Sequence, residues 1–261
     1  MNNEILKHLP GNFPWQVHWY NSLPSTNDLV KELGKDGAPH GTVVIADSQT
    51  KGRGRLGRSF HSPAGAGIYL SVLLRPQCHA QQLMHLTCAT AVAMCDAVEK
   101  ACGFRPGAKW INDLVAQNKK LGGILTEMSL NADGTVAWCV IGIGINCKKT
   151  AFPAELEDIA ISLASVTEEP VDRAGLMAEM ILALKEMSDG LPDNQEAIMQ
   201  RYRQDCITLG KEVLVIRDDR QLPARALDVD AQGGLTVAYP DGRQETIAAG
   251  EVSIRGMWGY V

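Results

Sequence analysis

Gly52-Arg53-Gly54-Arg55-Leu56-Gly57 fits the pattern GxGxxG letter by letter, and whether it is a dinucleotide-binding turn decides the fold. Such a turn needs a strand before it, a helix directly after it, and an acidic residue about 20 positions on at the end of a second strand. The strand is present, since Gly41–Asp47 (GTVVIAD) is a short apolar run of the buried-strand kind. The helix is not. Ser62-Pro63 and Gly65-Ala66-Gly67 follow, then Ile68–Leu74 (IYLSVLL) reads as another strand, and no acidic residue stands where the ribose would need one. No Lys-Ser/Thr pair closes the motif, so it is not a P-loop either. What remains is a loop, Ser48–Gly67, between two strands. Its glycines let the backbone approach a ligand, and its arginines offer planar, permanent cations to phosphate or carboxylate. Lys51, Arg53, Arg55 and Arg58 place four cations within eight residues. The competing reading is a solvated basic loop that contacts nucleic acid.

Upstream, residues 16–20 (QVHWY) alternate as a strand. Pro24-Ser25 then opens a helix, with Ser25 as N-cap, Asp28 completing a capping pair, and Gly34 as the stop. Downstream, periodicity predicts a helix over Gln81–Ala101, strands over Ala108–Leu114, Leu121–Leu130 and Ala137–Ile143, and helices over 172–188 and 194–206. After Gly210 the texture becomes that of a small barrel: short strands at Val213–Ile216, Leu222–Asp228, Leu235–Tyr239, Glu245–Ala248 and Val252–Arg255, separated by Asp-Asp, Gly-Gly and Asp-Gly turns. A boundary near 208 divides a main domain, 1–208, from a second, 209–261.

The 261 residues are 45% hydrophobic and 21% charged, with net charge −5, enough apolar content for a full core. An acidic chain with pI about 5.7 is not one whose whole surface serves nucleic acid. The seven cysteines form no CxxC pairs and no zinc-ligand spacing, which points to reduced thiols and a cytoplasmic setting. Cys88, Cys95 and Cys102 fall on one face of the expected helix as small core residues. No apolar run approaches membrane-spanning length, and the N-terminus has no signal-peptide character.

Three more segments carry chemistry. Lys109-Trp110-Ile111-Asn112-Asp113-Leu114 joins a cation, an amide and a carboxylate at a strand end. Lys120-Leu121-Gly122-Gly123-Ile124-Leu125 sets a lysine beside paired glycines that permit close approach. Ile141-Gly142-Ile143-Gly144-Ile145-Asn146 ends in an amide. Singly, each has a bland reading: a solvated lysine, an Asn-Asp turn, a tight hairpin. Their combination in this order is what calls for explanation.

The order of Ser25-Thr26-Asn27, Gln49 with Gly52–Gly57, Lys109–Leu114, Lys120–Leu125, Gly142–Asn146 and Gly250–Gly256 resembles the bacterial biotin–protein ligases (biotin–[acetyl-CoA-carboxylase] ligase), over about residues 17–256. The resemblance implies an α+β fold: a mixed, largely antiparallel sheet with packed helices, akin to class II aminoacyl-tRNA synthetases, plus a small C-terminal SH3-like β-barrel. It implies that Ser25, Thr26, Asn27, Gln49, Gly54 and Gly122 line a biotin site. Arg53 and Arg55 would fold over biotin and its adenylate, with Lys120 at the biotin carboxylate and α-phosphate. Lys109, Asn112, Asp113, Asn146 and Arg255, again with Arg55, would serve ATP, and Asp113 would serve Mg²⁺. Ile111 and Phe60 depart from the family's usual Pro and Trp, altering a turn's stiffness and a stacking surface.

The implied chemistry is adenylation of biotin by ATP, then transfer to a lysine of the biotin carboxyl carrier protein. Many members of the family form homodimers by extending the sheet, and the sequence leaves the oligomeric state of this chain open. Only about 15 residues precede the first expected strand, so no DNA-binding repressor role is expected, and no membrane partner. The rival readings are a lipoate–protein ligase with shared architecture, and a non-catalytic nucleic-acid binder using Arg53–Arg58 as a phosphate patch.

Overall fold

Two neighbouring strands inside the main sheet, β2 (Thr42–Ala46) and β3 (Gly67–Leu74), are buried at every position. The computed structural model describes residues 1–149, 152–217, 220–248 and 253–256, the last by backbone alone. Around these strands lie β1 (Gln16–Tyr20), β4 (Gly107–Lys109), β5 (Asp113–Ala116), β6 (Lys119–Leu130) and β7 (Val136–Asn146). The order is β1-β2-β3-β7-β6-β5-β4, parallel between β1 and β2 and antiparallel elsewhere.

The two faces of this sheet are treated differently. Ile68, Leu70, Val72 and Leu74 of β3 and Cys139, Ile141, Ile143 and Ile145 of β7 enter the main core. Helices α3 (Leu86–Cys102), α4 (Arg173–Asp189) and α5 (Gln195–Asp205) supply the other half of that core, with α1 (Asn2–His8) packed on α4. The opposite face receives only α2 (Thr26–Lys35), through a small cluster of Val30, Val44, Leu73 and Val140. The half of this face beyond α2, over β5, β6 and β7, is left for a ligand.

The C-terminal part is a five-stranded antiparallel sheet, the small all-β unit expected after Gly210. It comprises β8 (Glu212–Arg217), β9 (Arg220–Val229), β10 (Leu235–Ala238), β11 (Gln244–Ile247) and β12 (Ser253–Gly256), in the order β11-β10-β9-β8-β12. It is tied to the main sheet through Trp110, whose indole N–H donates to Gly233 O at 2.8 Å and whose backbone N–H donates to Thr208 Oγ1 at 2.9 Å.

Four expectations are corrected. Ala108–Leu114 is two strands, β4 and β5, joined at a turn in which Trp110 and Ile111 stay buried and their peptide bond is cis. The helix expected over Gln81–Ala101 is a 3₁₀ turn, Ala80–Leu83, followed by α3. Helix α2 runs past Gly34 to Lys35. Ser25 does cap α2, but the Asp28 carboxylate turns away to Arg53 and Lys31 instead of completing a capping box. Helix α1 has no counterpart among the expected elements. All seven cysteines are free thiols, and no described helix is long and apolar enough to cross a membrane.

Candidate active site

A cavity of about 580 Å³ opens on the α2 face of the sheet, within the usual range for small-molecule sites. Strand alternation builds its floor. Because β7 sends its isoleucines into the core, its alternate residues Gly142, Gly144 and Asn146 face the cavity. The glycines are steric necessities. A Cβ on Gly142 would lie 1.8 Å from Asn27 Oδ1, and one on Gly144 would lie 2.5 Å from the Phe60 ring.

At one end the lining is polar and neutral. Thr26 and Asn27, in the first turn of α2, and the N-cap Ser25 are buried. Gln49 fixes this end from below: its Oε1 accepts Thr26 N at 2.9 Å, and its Nε2 donates to Ser62 Oγ at 3.0 Å. Ser71 Oγ lies 2.6 Å from Asn27 Oδ1, an atom that only accepts, so the serine proton belongs there. The Asn27 amide N–H₂ then donates to Glu127 Oε2 at 3.0 Å and to Leu125 O at 3.3 Å. These bonds orient fixed donors and acceptors before any ligand arrives.

At the other end the lining is cationic. Alternation along β6 puts Gly123, Leu125 and Glu127 on the cavity side and would put Leu121 there too. Instead Leu121 is fully buried in the core and Lys120 reaches the cavity. The cause is a register shift opposite Leu114 and Val115, which pair with Gly122 and Lys120. Such a bulge re-aims one side chain. Lys120 Nζ donates to Asp113 Oδ1 at 2.5 Å, and a Cβ on Gly123 would lie 3.3 Å from that Nζ. The backbone of Lys120 is clamped on both sides, its N–H to Ile159 O and its carbonyl to Ile161 N–H. Asn146 Nδ2 donates to Ile161 O at 3.1 Å, strengthening the same clamp. Lys109 is buried and lines the cavity where β4 meets β5, directly opposite Asp113.

The loop Gly52–Gly57 is a flap in hairpin form. Phe60 N–H donates to Gly52 O and Gly54 N–H to Arg58 O, leaving Arg55-Leu56-Gly57 as the tip. Leu56 and Gly57 take left-handed backbone angles, φ 55° and 72°. Arg55 points inward and donates to Asn112 Oδ1 at 3.2 Å. Burial lowers its pKa below the ordinary arginine value, opposed in part by Asp113. Arg53 turns to Asp28 and Glu127. Phe60 packs edge-on to Tyr69 over Gly144.

Ser25, Thr26, Asn27, Gln49, Arg53, Gly54, Arg55, Lys109, Asn112, Asp113, Lys120 and Asn146 therefore all line one cavity, whereas Gly122 sits just behind it, against Gly144 O. The Arg255 side chain, and Gly250, Glu251 and Val252, lie outside the described residues. Sequence reading missed Ser71, Glu127 and the apolar wall of Phe152, Leu156 and Ile159. Only the last had a signal, a spaced apolar set after Asn146.

Residues 19–146 match the Biotin/lipoate A/B protein ligase family, and residues 208–255 match the Biotin protein ligase C terminal domain. The chain is 35% identical over 234 residues to the bifunctional ligase/repressor BirA of Bacillus subtilis, covering 88% of this chain and 72% of that protein. It is 31% identical to the biotin–[acetyl-CoA-carboxylase] ligase of Mycobacterium tuberculosis, covering 87% and 85%. The biotin protein ligase of Aquifex aeolicus, solved in complex with biotin and ATP, superposes with a TM-score of 0.78 at 27% identity, covering 94% of this chain and all of that one. A mixed sheet with one face left open, a separate C-terminal β unit and both domain matches agree: the chain belongs to the biotin protein ligase family.

Proposed function

We propose that this protein is a biotin–[acetyl-CoA-carboxylase] ligase. The observation that carries the reading is that one cavity joins a neutral hydrogen-bonding end to a cationic end beneath an arginine flap. The ureido ring of biotin suits Ser25, Thr26, Asn27 and Gln49, which offer paired donors and acceptors without charge. Its carboxylate then lies toward Lys120. There it attacks the α-phosphorus of ATP, forming the acyl phosphate bond of biotinyl-5′-AMP and expelling pyrophosphate. Lys120, Arg53 and Arg55 offset the repulsion of one anion by another and the charge that grows on phosphorus; each such contact contributes about 10²–10³ in rate. A lysine amine of the carboxyl carrier domain next attacks the acyl carbon, releasing AMP.

Lys109, Asn112, Asp113 and Asn146 serve the nucleotide in this reading, with Arg255 from the C-terminal part. Among the described residues no three His, Cys, Asp or Glu gather around one point. Mg²⁺ would be held by ATP phosphates and Asp113, the usual mode for this ion, adding positive charge at the phosphates. Residues 1–208 are read as the catalytic domain and 209–261 as the C-terminal one. A homodimer that extends the sheet would use an edge other than β4, which is occupied where Ile207 N–H donates to Ala108 O.

The test is incubation with MgATP, a carrier domain and either biotin or lipoate. A mass gain of one biotin on the carrier supports the reading. Transfer of lipoate with none of biotin would overturn it.

A further inference from the structure

Glu127 touches both ends of the machinery at once. Its Oε2 accepts Asn27 Nδ2 at 3.0 Å in the neutral end of the cavity. The same carboxylate receives the flap arginine, with Arg53 Nη2 at 3.1 Å from Oε1 and Nη1 at 3.3 Å from Oε2. Burial works against the ionised form of Glu127. The bonds from Asn27 and Lys31 and the charge of Arg53 outweigh it and hold the carboxyl below its ordinary range.

We propose that Glu127 is a positioning residue that couples closure of the Gly52–Gly57 flap to occupancy of the neutral end of the cavity. This rests on the reading of that end as the site for the biotin head. Asn27 has little freedom, since Ser71 holds its carbonyl and Leu125 O shares its amide. A ligand bonded to Asn27 adds one more bond to this arrangement, so it favours the closed state, already formed without ligand, in which the amide meets Glu127 and the carboxylate holds Arg53. Linkage is reciprocal, so a closed flap tightens the head pocket by the same factor. Lys31 makes the device a latch and not a lock. Its Nζ stays 3.0 Å from Glu127 and 3.2 Å from Asp28, so the flap can lift without leaving these carboxylates unpaired.

The experiment follows flap opening by trypsin cleavage after Arg53 and Arg55, read by mass, with biotin alone and no ATP. Glu127→Gln keeps the size and an acceptor for Asn27 while removing the charge that grips Arg53. In the native protein, saturating biotin slows cleavage. In Glu127→Gln that protection falls about tenfold, within the usual span of coupling between sites, with the melting temperature close to native. Asp28→Asn, which leaves the path through Glu127 intact, keeps most of the protection. In an Arg53→Lys background, Glu127→Gln adds no further loss. Should Glu127→Gln fail to fold, loss of protection in Arg53→Lys alone carries the test. Native-like protection in whichever variant folds, or additive losses in the double variant, overturns the coupling. A native protein that biotin neither binds nor protects overturns the pocket reading itself, and the coupling with it.

Discussion

Replacing Gly142 by Ala tests whether the floor of the cavity is shaped around Asn27. The added Cβ would lie 1.8 Å from Asn27 Oδ1 and 2.6 Å from its Cγ, so the asparagine must turn away or the sheet must shift. Turning away breaks its bonds to Ser71, Leu125 O and Glu127. At about 1 kcal/mol net for each bond, the loss is about 3 kcal/mol. Shifting the sheet instead costs about 1–3 kcal/mol of overpacking. Gly142 is not among the residues with positive φ. Without the clash, Ala would stabilise by about 0.4–1 kcal/mol through the unfolded chain, so the sign of the change separates the two accounts. A loss of about 3 kcal/mol lowers the melting temperature by roughly 6–12 °C for a protein of this size. Thermal unfolding reads this directly, while steady-state titration shows the KM for biotin rising and that for ATP near native. Adding Asn27→Gly to Gly142→Ala removes the clash but not the loss of the Asn27 bonds, so it restores neither stability nor biotin binding. A melting temperature that is unchanged or raised, with native biotin binding, refutes the reasoning.

Lys120→Ala abolishes adenylation with the fold intact, measured as pyrophosphate release alongside a native melting curve; a normal rate would remove Lys120 from its assigned role. Arg55→Gly lets the adenylate escape from under the flap, so bystander lysines become biotinylated; an intermediate as long-lived as the native one contradicts the lid. His85 is fully buried, neither ring nitrogen has a hydrogen-bond partner among the described residues, and burial lowers its pKa from 6.5. The unfolded chain therefore takes up this proton at higher pH than the folded one, so stability is complete above about pH 6.5 and falls as pH drops toward the folded value. His85→Leu flattens part of that slope in melts taken between about pH 8 and about pH 5. His40, also lowered by burial, keeps the remainder, and an unchanged slope would exclude His85.

The sheet was legible because its strands are long or wholly apolar: β3 and β7 are visible as runs, and β2 as a run before a glycine-rich loop. The turn between β4 and β5 was not legible, because hydrophobicity continues through it. Trp110 is buried to receive Gly233 from the C-terminal part, a long-range demand with no local trace. The motif residues converge on one cavity because alternation along β7 is regular. Lys120 needed a bulge to arrive there, and a bulge inside Lys120-Leu121-Gly122 leaves no mark except its glycines. Glu127 and Ser71 were invisible for a different reason. Each works by bonding Asn27, from 100 and 44 residues away, and pairing over such separations is not written in periodicity.

Lys120, Arg53 and Arg55, three of the cations assigned to the anions, are each engaged before a ligand arrives, and by partners of unequal grip. Lys120 is held by the carboxylate of Asp113, Arg53 by those of Glu127 and Asp28, and Arg55 by the neutral amide of Asn112. Several cations left bare in a part-buried cavity would repel one another and forfeit hydration without return. Pairing holds them in position, and an arriving carboxylate or phosphate exchanges partners at Lys120 and Arg55 instead of filling a gap, while Arg53 keeps its carboxylates. The net gain is then smaller than bare Coulomb attraction suggests, while the direction of approach is fixed more tightly. Exchange is easiest at Arg55, where only a neutral acceptor must be given up, and hardest at Lys120, whose carboxylate partner needs compensation. Asp113 would hold Mg²⁺ in the proposed reaction, and the ion would supply compensating positive charge there. Lys120, released from Asp113, would then face the reacting anion with its charge intact.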